Sequence, residues 1–193
     1  MSADSKWIKQ LNDAGFLYDN NYYNFTTNTL ILMMPKDNPK NITSLLDLAK
    51  PGVRLVLAAP AVPAGSYANK TLAKIDQTWG NVTSPQYKGL EWQNYYSNVI
   101  ANVVSYENTI EDVVSKVALN LGTVDAGIAF VSDASTQGEN LAYIEIPMEV
   151  NTRGTYGIAV IKSTTQPSLA IKFMNFWLSS EGQNLLNAYG FGT

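Results

Sequence analysis

Neither cysteine nor histidine occurs anywhere in the chain. Thiolate and imidazole metal sites are therefore excluded. So are nucleophiles of the Cys-His and Ser-His-Asp types. Acid–base chemistry would fall to carboxylates, lysine or tyrosine. The lack of thiols leaves the redox compartment open. Charge is sparse as well: 15% of the residues are charged and the net charge is −3. That balance gives no basic footprint for nucleic acid. The short clusters KWIK and AIKF read as solvated helix edges, with Lys162 and Lys172 equally solvated. No apolar run approaches a membrane span, and TLILMMP has the length of a strand. The opening MSADSK is polar and does not read as a secretory signal. Four Asn-x-Thr sequons, at Asn24, Asn41, Asn69 and Asn81, are close to chance for a chain this rich in Asn and Thr.

What is present is a chain of 193 residues with 46% apolar content. That suffices for one ordinary domain or two small lobes. DSKWIKQLNDAG predicts a helix capped by Asp4 or Ser5 and ended by Gly15. YYNFTTNTLILMMP is strand-like, and ITSLLDLAKPG is a short capped helix closed by Pro51-Gly52. VRLVLAAP has apolar residues on both faces, as a strand covered by helices does. A helix follows over YANKTLAKIDQTWG, then a loop and a Tyr/Trp-rich helix, then the strand ANVVSYE. NTIEDVVSKVALNLG carries a capping-box pattern, with Asn108 at the cap and Glu111 three residues on. Strands follow at VDAGIAFVSDA, YIEIP and TYGIAVIK, and two helices divided near Ser179-Ser180 end the chain. Alternating strands and helices predict an α/β protein with a mainly parallel sheet. The segments 25–30 and 148–156 are the expected crossings between lobes.

In open α/β sheets, ligands sit outside the carboxyl ends of strands. Two strand-to-helix corners qualify: Val62-Pro63-Ala64-Gly65-Ser66 and Ser105-Tyr106-Glu107-Asn108-Thr109. A helix start offers unpaired N–H groups and partial positive charge, which suit an oxyanion. Ala64 and Gly65 are small enough for close approach to the backbone. No nucleotide-type phosphate loop is present. Against this stands the fact that every helix has such a start and most hold nothing. Glu107 would repel an anion if it pointed inward. Asp125 and Asp133 flank the strand AGIAFVS and read as caps or turns rather than a catalytic pair. Trp92, Tyr95 and Tyr96 could stack on a sugar or base, but packing is the commoner role at that spacing.

The series SADSKWIKQLNDAG, NTLILMMPKDNP, SLLDLAKPGVRLVLAAPAVPAGSYA, VDAGIAFVSDA and YGIAVIKSTTQPSLAIKFMNFWLSSEGQNLL resembles the periplasmic molybdate-binding proteins of ABC importers over the whole chain. The resemblance implies a periplasmic-binding-protein-like (type II) architecture of two lobes closing on molybdate or tungstate, held by neutral hydrogen bonds. It implies no catalysis, no cofactor, a membrane permease as partner, and work outside the cytoplasmic membrane. Residues 29–150 would form a complete lobe, with 1–28 and 151–193 belonging to the other. Carried over by motif, the oxyanion donors fall at Ala64 and Gly65 and, at the second corner, at Asn108 and Thr109. Where the family places a donating tyrosine, this chain has Phe130. Either Tyr106 or Ser132 replaces it, or affinity falls; a lost charge-assisted bond is worth about 1.5–3 kcal/mol. In the family two further strand–helix units precede SAD, so the resemblance implies a truncated form with a partial site that binds weakly or not at all. The strand TYGIAVIK would then be an unpaired edge open to self-association. Sulfate or phosphate as ligand, a non-binding fragment that self-associates, and a small α/β enzyme with a carboxylate base are the alternatives.

Overall fold

Three strands are apolar on both faces, and burial follows the pattern. A computed structural model describes residues 1–135 and 138–192. In it β3 (Leu30–Pro35), β4 (Leu55–Ala58) and β6 (Ala126–Phe130) are buried along their whole length. The strands β5 (Val103–Glu107) and β7 (Leu141–Glu145) alternate between exposed and partly buried residues. The sheet order β5-β4-β6-β3-β7 explains the contrast: continuous apolar strands are central and alternating ones are edges. β4 pairs parallel with both β5 and β6, while β3 pairs antiparallel with β6 and β7.

The helix α2 (Pro63–Trp79) leads from β4 toward α3 (Tyr95–Ala101) and β5. Its buried residues Ala64, Ala68, Leu72, Ile75 and Trp79 recur at helical spacing and form the face laid on the sheet. From β5, α4 (Ile110–Ala118) returns the chain across β4 to β6, burying Val113, Val114 and Val117. The chain thus steps off β4 first to one side and then to the other. Right-handed crossovers in opposite directions put α2 and α4 on opposite faces and open a crevice at the carboxyl ends of the strands. A short helix, α5 (Val131–Ser135), follows β6 directly, where the strand was expected to continue.

The chain divides into two compact units: Thr29–Thr152, which holds this sheet, and Met1–Asn28 with Arg153–Thr193. Asn151 belongs with the larger unit because its carboxamide bridges β3 and the segment after β7. Its Nδ2 donates to the Leu30 and Ile146 carbonyls, at 2.8 and 3.1 Å, and its Oδ1 accepts from Leu30 N at 3.2 Å.

The second unit contains β1 (Ser2–Asp4), α1 (Ser5–Asp13), β2 (Tyr23–Asn28), β8 (Gly154–Ile158), α6 (Pro167–Leu178) and α7 (Ser180–Ala188). Asp4 caps α1 by accepting from Lys6 N. The sheet order is β1-β8-β2, and both pairings are antiparallel. Two expectations are corrected here. The strand TYGIAVIK is not an unpaired edge: Ser2–Asp4 pairs with it on one side and Tyr23–Asn28 on the other. The alternation of strands and helices implied parallel neighbours, yet this sheet is antiparallel because its strands come from distant parts of the chain rather than from one crossover unit. Ile8, Leu17 and Ala159 form its small buried cluster.

Candidate functional site

The carboxyl ends of β5, β4 and β6 lie side by side, so the corners that follow them share one edge of the sheet. At the first corner the chain turns through Ala59–Val62, with Val62 N donating to Ala59 O at 2.8 Å. The helix starts at Pro63, four residues before the expected Tyr67, because Pro63 is set for the first helical position and needs no acceptor. Val62 is the cap residue and offers no side-chain acceptor. Ser66 N donates to Val62 O at 2.9 Å. Between them, the N–H groups of Ala64 and Gly65 have no acceptor among the described residues.

Gly65 is required for a reason other than ligand approach. A Cβ there would stand 2.2 Å from the Ala59 carbonyl oxygen and 2.3 Å from that of Ala58. The helix start is thus pressed against the end of its own strand. The two corners are tied together where Ala59 N donates to Glu107 O at 2.7 Å.

At the second corner the cap is Thr109, not Asn108. Thr109 Oγ1 accepts from Asp112 N at 3.1 Å and donates to Asp112 Oδ2 at 2.8 Å. The capping pair is thus Thr109 with Asp112, one residue later than the predicted Asn108 with Glu111. Both bonds run through the Thr109 hydroxyl, and the helix starts one residue later than expected. Both Asn108 and Thr109 are exposed. Glu107 is neutralised locally: Lys116 Nζ donates to it at 2.5 Å, and the Ser105 hydroxyl also donates to it. These bonds, led by that from Lys116, hold the Glu107 carboxyl below the usual range.

Phe130 closes β6, is 6% exposed, and meets the ring of Tyr67 edge-to-face with centroids 5.7 Å apart. Sequence reasoning passed over Tyr67; its position three residues after Ala64 was the available signal. Of the two proposed substitutes for a tyrosine at 130, Tyr106 lies on edge strand β5 and is 45% exposed, and Ser132 sits in α5. Burial pushes Asp133 up to about 6, opposed by a backbone hydrogen bond at Phe130 and reinforced by the charge of Glu111.

The residues matching the bacterial extracellular solute-binding protein family run from 1 to 192. The chain belongs to that family. It is 32% identical over 190 residues to the molybdate-binding protein ModA of Mycobacterium tuberculosis, covering 98% of this chain and 63% of that relative. It is 30% identical over 180 residues to the sulfate-binding protein of Synechococcus elongatus, covering 86% of this chain and 47% of that one. The fold matches the substrate-binding domain of a putative molybdenum ABC transporter from Clostridium difficile with a TM-score of 0.77 at 22% identity, over 99% of this chain and 74% of that one. The chain therefore spans less than two thirds of the length of these curated relatives.

In this member of the family the five expected site residues fall at three neighbouring strand ends: Ala64 and Gly65 after β4, Asn108 and Thr109 after β5, and Phe130 at the end of β6. Asp125 precedes β6 and Asp133 lies in α5 beyond its other end, with the whole strand between them, so the two do not form one catalytic pair. Asp125 is 2% exposed and paired with Arg54, whose Nη2 donates to it at 2.6 Å. The aromatic residues pack. Trp92 stacks edge-to-face on Trp79 at 4.8 Å, the Tyr95 hydroxyl donates to Leu45 O at 2.8 Å, and Tyr96 donates to Asn69 Oδ1 at 3.2 Å. Lys162 reaches the Gly15 carbonyl at 2.5 Å and is exposed, as is Lys172. A cavity of about 430 Å³ in the larger unit is lined by Thr29, Val131, Tyr143, Met148 and Asn151 among others. The Asn151 carboxamide that borders it is spent on the chain's own backbone.

Proposed function

We propose that this protein captures a tetrahedral oxyanion of the molybdate and tungstate class and delivers it, outside the cytoplasmic membrane, to the permease of an ABC importer. One observation carries the reading: at the carboxyl edge of the sheet, α2 begins with the N–H groups of Ala64 and Gly65 unclaimed by any described acceptor and with no lysine or arginine in its first turn. Such a helix start stabilises a dianion with neutral donors and its own dipole. Membership of a solute-binding family and a molybdate-binding relative at 32% identity support the ligand class.

In this reading Ala64 and Gly65 donate through the backbone. The second corner donates through the main chain near Asn108 and Thr109, because the Thr109 hydroxyl is engaged with Asp112. Phe130 supplies a packed apolar wall. The protein acts by capture and release, without catalysis and without a cofactor.

A second reading takes sulfate as the ligand and draws on the sulfate-binding relative. Molybdate and tungstate have longer metal–oxygen bonds and need a wider site. Calorimetric titration of the 193-residue chain, carried to millimolar anion, separates the two. Molybdate and tungstate are expected to compete for one site, with sulfate at least about tenfold weaker. The partial site expected of this chain predicts weak binding; tighter sulfate binding would favour the second reading, and no response to any of the three at millimolar anion would overturn oxyanion capture by this chain.

A further inference from the structure

We propose that the cavity of about 430 Å³ in the larger unit is a second binding site, for an organic monocation: an ammonium group carried on an apolar body.

Sheet register separates this cavity from the oxyanion corners. Side chains alternate between the two faces of a strand, and residues paired directly across strands share a face. Within β6, Phe130 meets Tyr67 and so faces α2. Gly127 faces the other way: a Cβ there would meet Met33, Val113 and Val117, the last two on α4. Met33 pairs with Gly127 and with Tyr143, and Ile31 pairs with Glu145. Ile31, Tyr143 and Glu145 therefore stand on the α4 face, whereas α2 covers the opposite one.

The lining joins apolar surface to oxygens that have nothing to bind. Ile31, Ile146 and Met148 supply the apolar part, and Thr29, Tyr143 and Glu145 bring two hydroxyls and a carboxylate. None of these three side chains has a hydrogen-bond or ionic partner among the described residues. Glu145 is the one charged residue in the lining, and no lysine or arginine answers it there. Tyr143 and Met148 are 60% and 49% exposed, so a small molecule can enter from solvent.

An ammonium on an apolar body matches each feature. Its charge complements the carboxylate, and its N–H groups are donors for oxygens that lack one. The Tyr143 ring offers a π face to the cation. The apolar body displaces water from the aliphatic wall. An anion would be repelled by Glu145, and a neutral molecule would leave that carboxylate unanswered. The volume lies in the range of small-molecule sites.

The test is calorimetric titration of the 193-residue chain with phenethylammonium chloride, carried to millimolar, beside its neutral counterpart phenethyl alcohol. Phenethylammonium should bind about tenfold more tightly than the alcohol, the low end for one charge-assisted hydrogen bond. E145Q should weaken the cation by about the same factor, leave the alcohol unchanged, and so abolish the preference. Y143L keeps apolar bulk without the π face and should weaken the cation about threefold. Both residues are exposed, so thermal unfolding of either variant should match wild type. Saturating molybdate should leave cation binding unchanged, because α2 and the cavity lie on opposite faces of the sheet. No cation binding at millimolar concentration, equal binding of the alcohol, or an E145Q chain that binds the cation as wild type does would each overturn the proposal. Displacement of the cation by molybdate would overturn it too, by moving the cation to the corner. None of these outcomes bears on oxyanion capture.

Discussion

Gly65 carries a constraint that its small size at a corner did not reveal. A small residue at a strand-to-helix corner suggested room for a ligand. The tighter constraint is the chain itself, since a Cβ would fall 2.2 and 2.3 Å from two carbonyl oxygens of its own strand. Backbone oxygens cannot rotate away as side chains do. Gly65→Ala should therefore destabilise the fold by about 3 kcal/mol, at the upper end for overpacking, and misplace the start of α2. Urea unfolding measures the first effect, and loss of oxyanion binding out of proportion to stability measures the second. A substitution that left both unchanged would mean the corner is slacker than its geometry shows. Tyr67 was hidden for the opposite reason. Nothing local marks it, because its partner Phe130 lies 63 positions away and only the sheet brings the two rings together.

Among elements, the 3-10 turn Leu45–Ala49 depends on one buried acid. Asp47 accepts from the N–H groups of Thr43 and Ser44 at 2.7 and 2.8 Å and from Lys50 Nζ at 2.6 Å. Burial alone would raise its pKa, but the hydrogen bonds from Lys50, Thr43 and Ser44 outweigh it and bring the carboxyl down to about 2. A carboxyl lower in the folded chain than in the unfolded one adds stability above its ordinary value near 4, and that stability is lost as pH falls toward 2. Asp47→Ala should cost about 2 kcal/mol at pH 7 by leaving two amide donors without their acceptor. The difference from wild type should shrink between about pH 4 and pH 2. Denaturant titrations at several pH values follow it, and a gap that stayed constant to pH 2 would contradict the account. A short capped helix closed by Pro51-Gly52 was legible beforehand, and the structure makes it a 3-10 turn. The second corner was legible only to within one residue, because Thr109 and Asn108 can both cap and only the tertiary register chooses Thr109 with Asp112.

At the scale of the whole molecule the two units are unequally built. The larger has a continuous core running through Leu32, Leu55, Leu57, Leu72, Val117 and Ile128. The smaller gathers Ile8, Leu17 and Ala159, and its α6 has no buried residue, with Leu169 and Phe173 63% and 60% exposed. Local opening is easiest where few apolar contacts close over the backbone. Amide hydrogen exchange should therefore be slowest in β3, β4 and β6 and markedly faster in β8 and α6. Equal protection of the two sheets would count against this. The α/β class and the identity of the central strands follow from the sequence by itself, because apolar runs, caps and turn residues act on near neighbours. So does the exclusion of thiolate and imidazole chemistry, since the residues are absent. Only the tertiary structure decided that Ser2–Asp4 would join β8, that three corners would share one sheet edge, that Glu107 would be answered by Lys116, and that Tyr67 would stand against Phe130. Each of these joins positions whose meeting depends on the order in which strands pair, and strand order is set by packing of the assembled chain rather than by any local pattern.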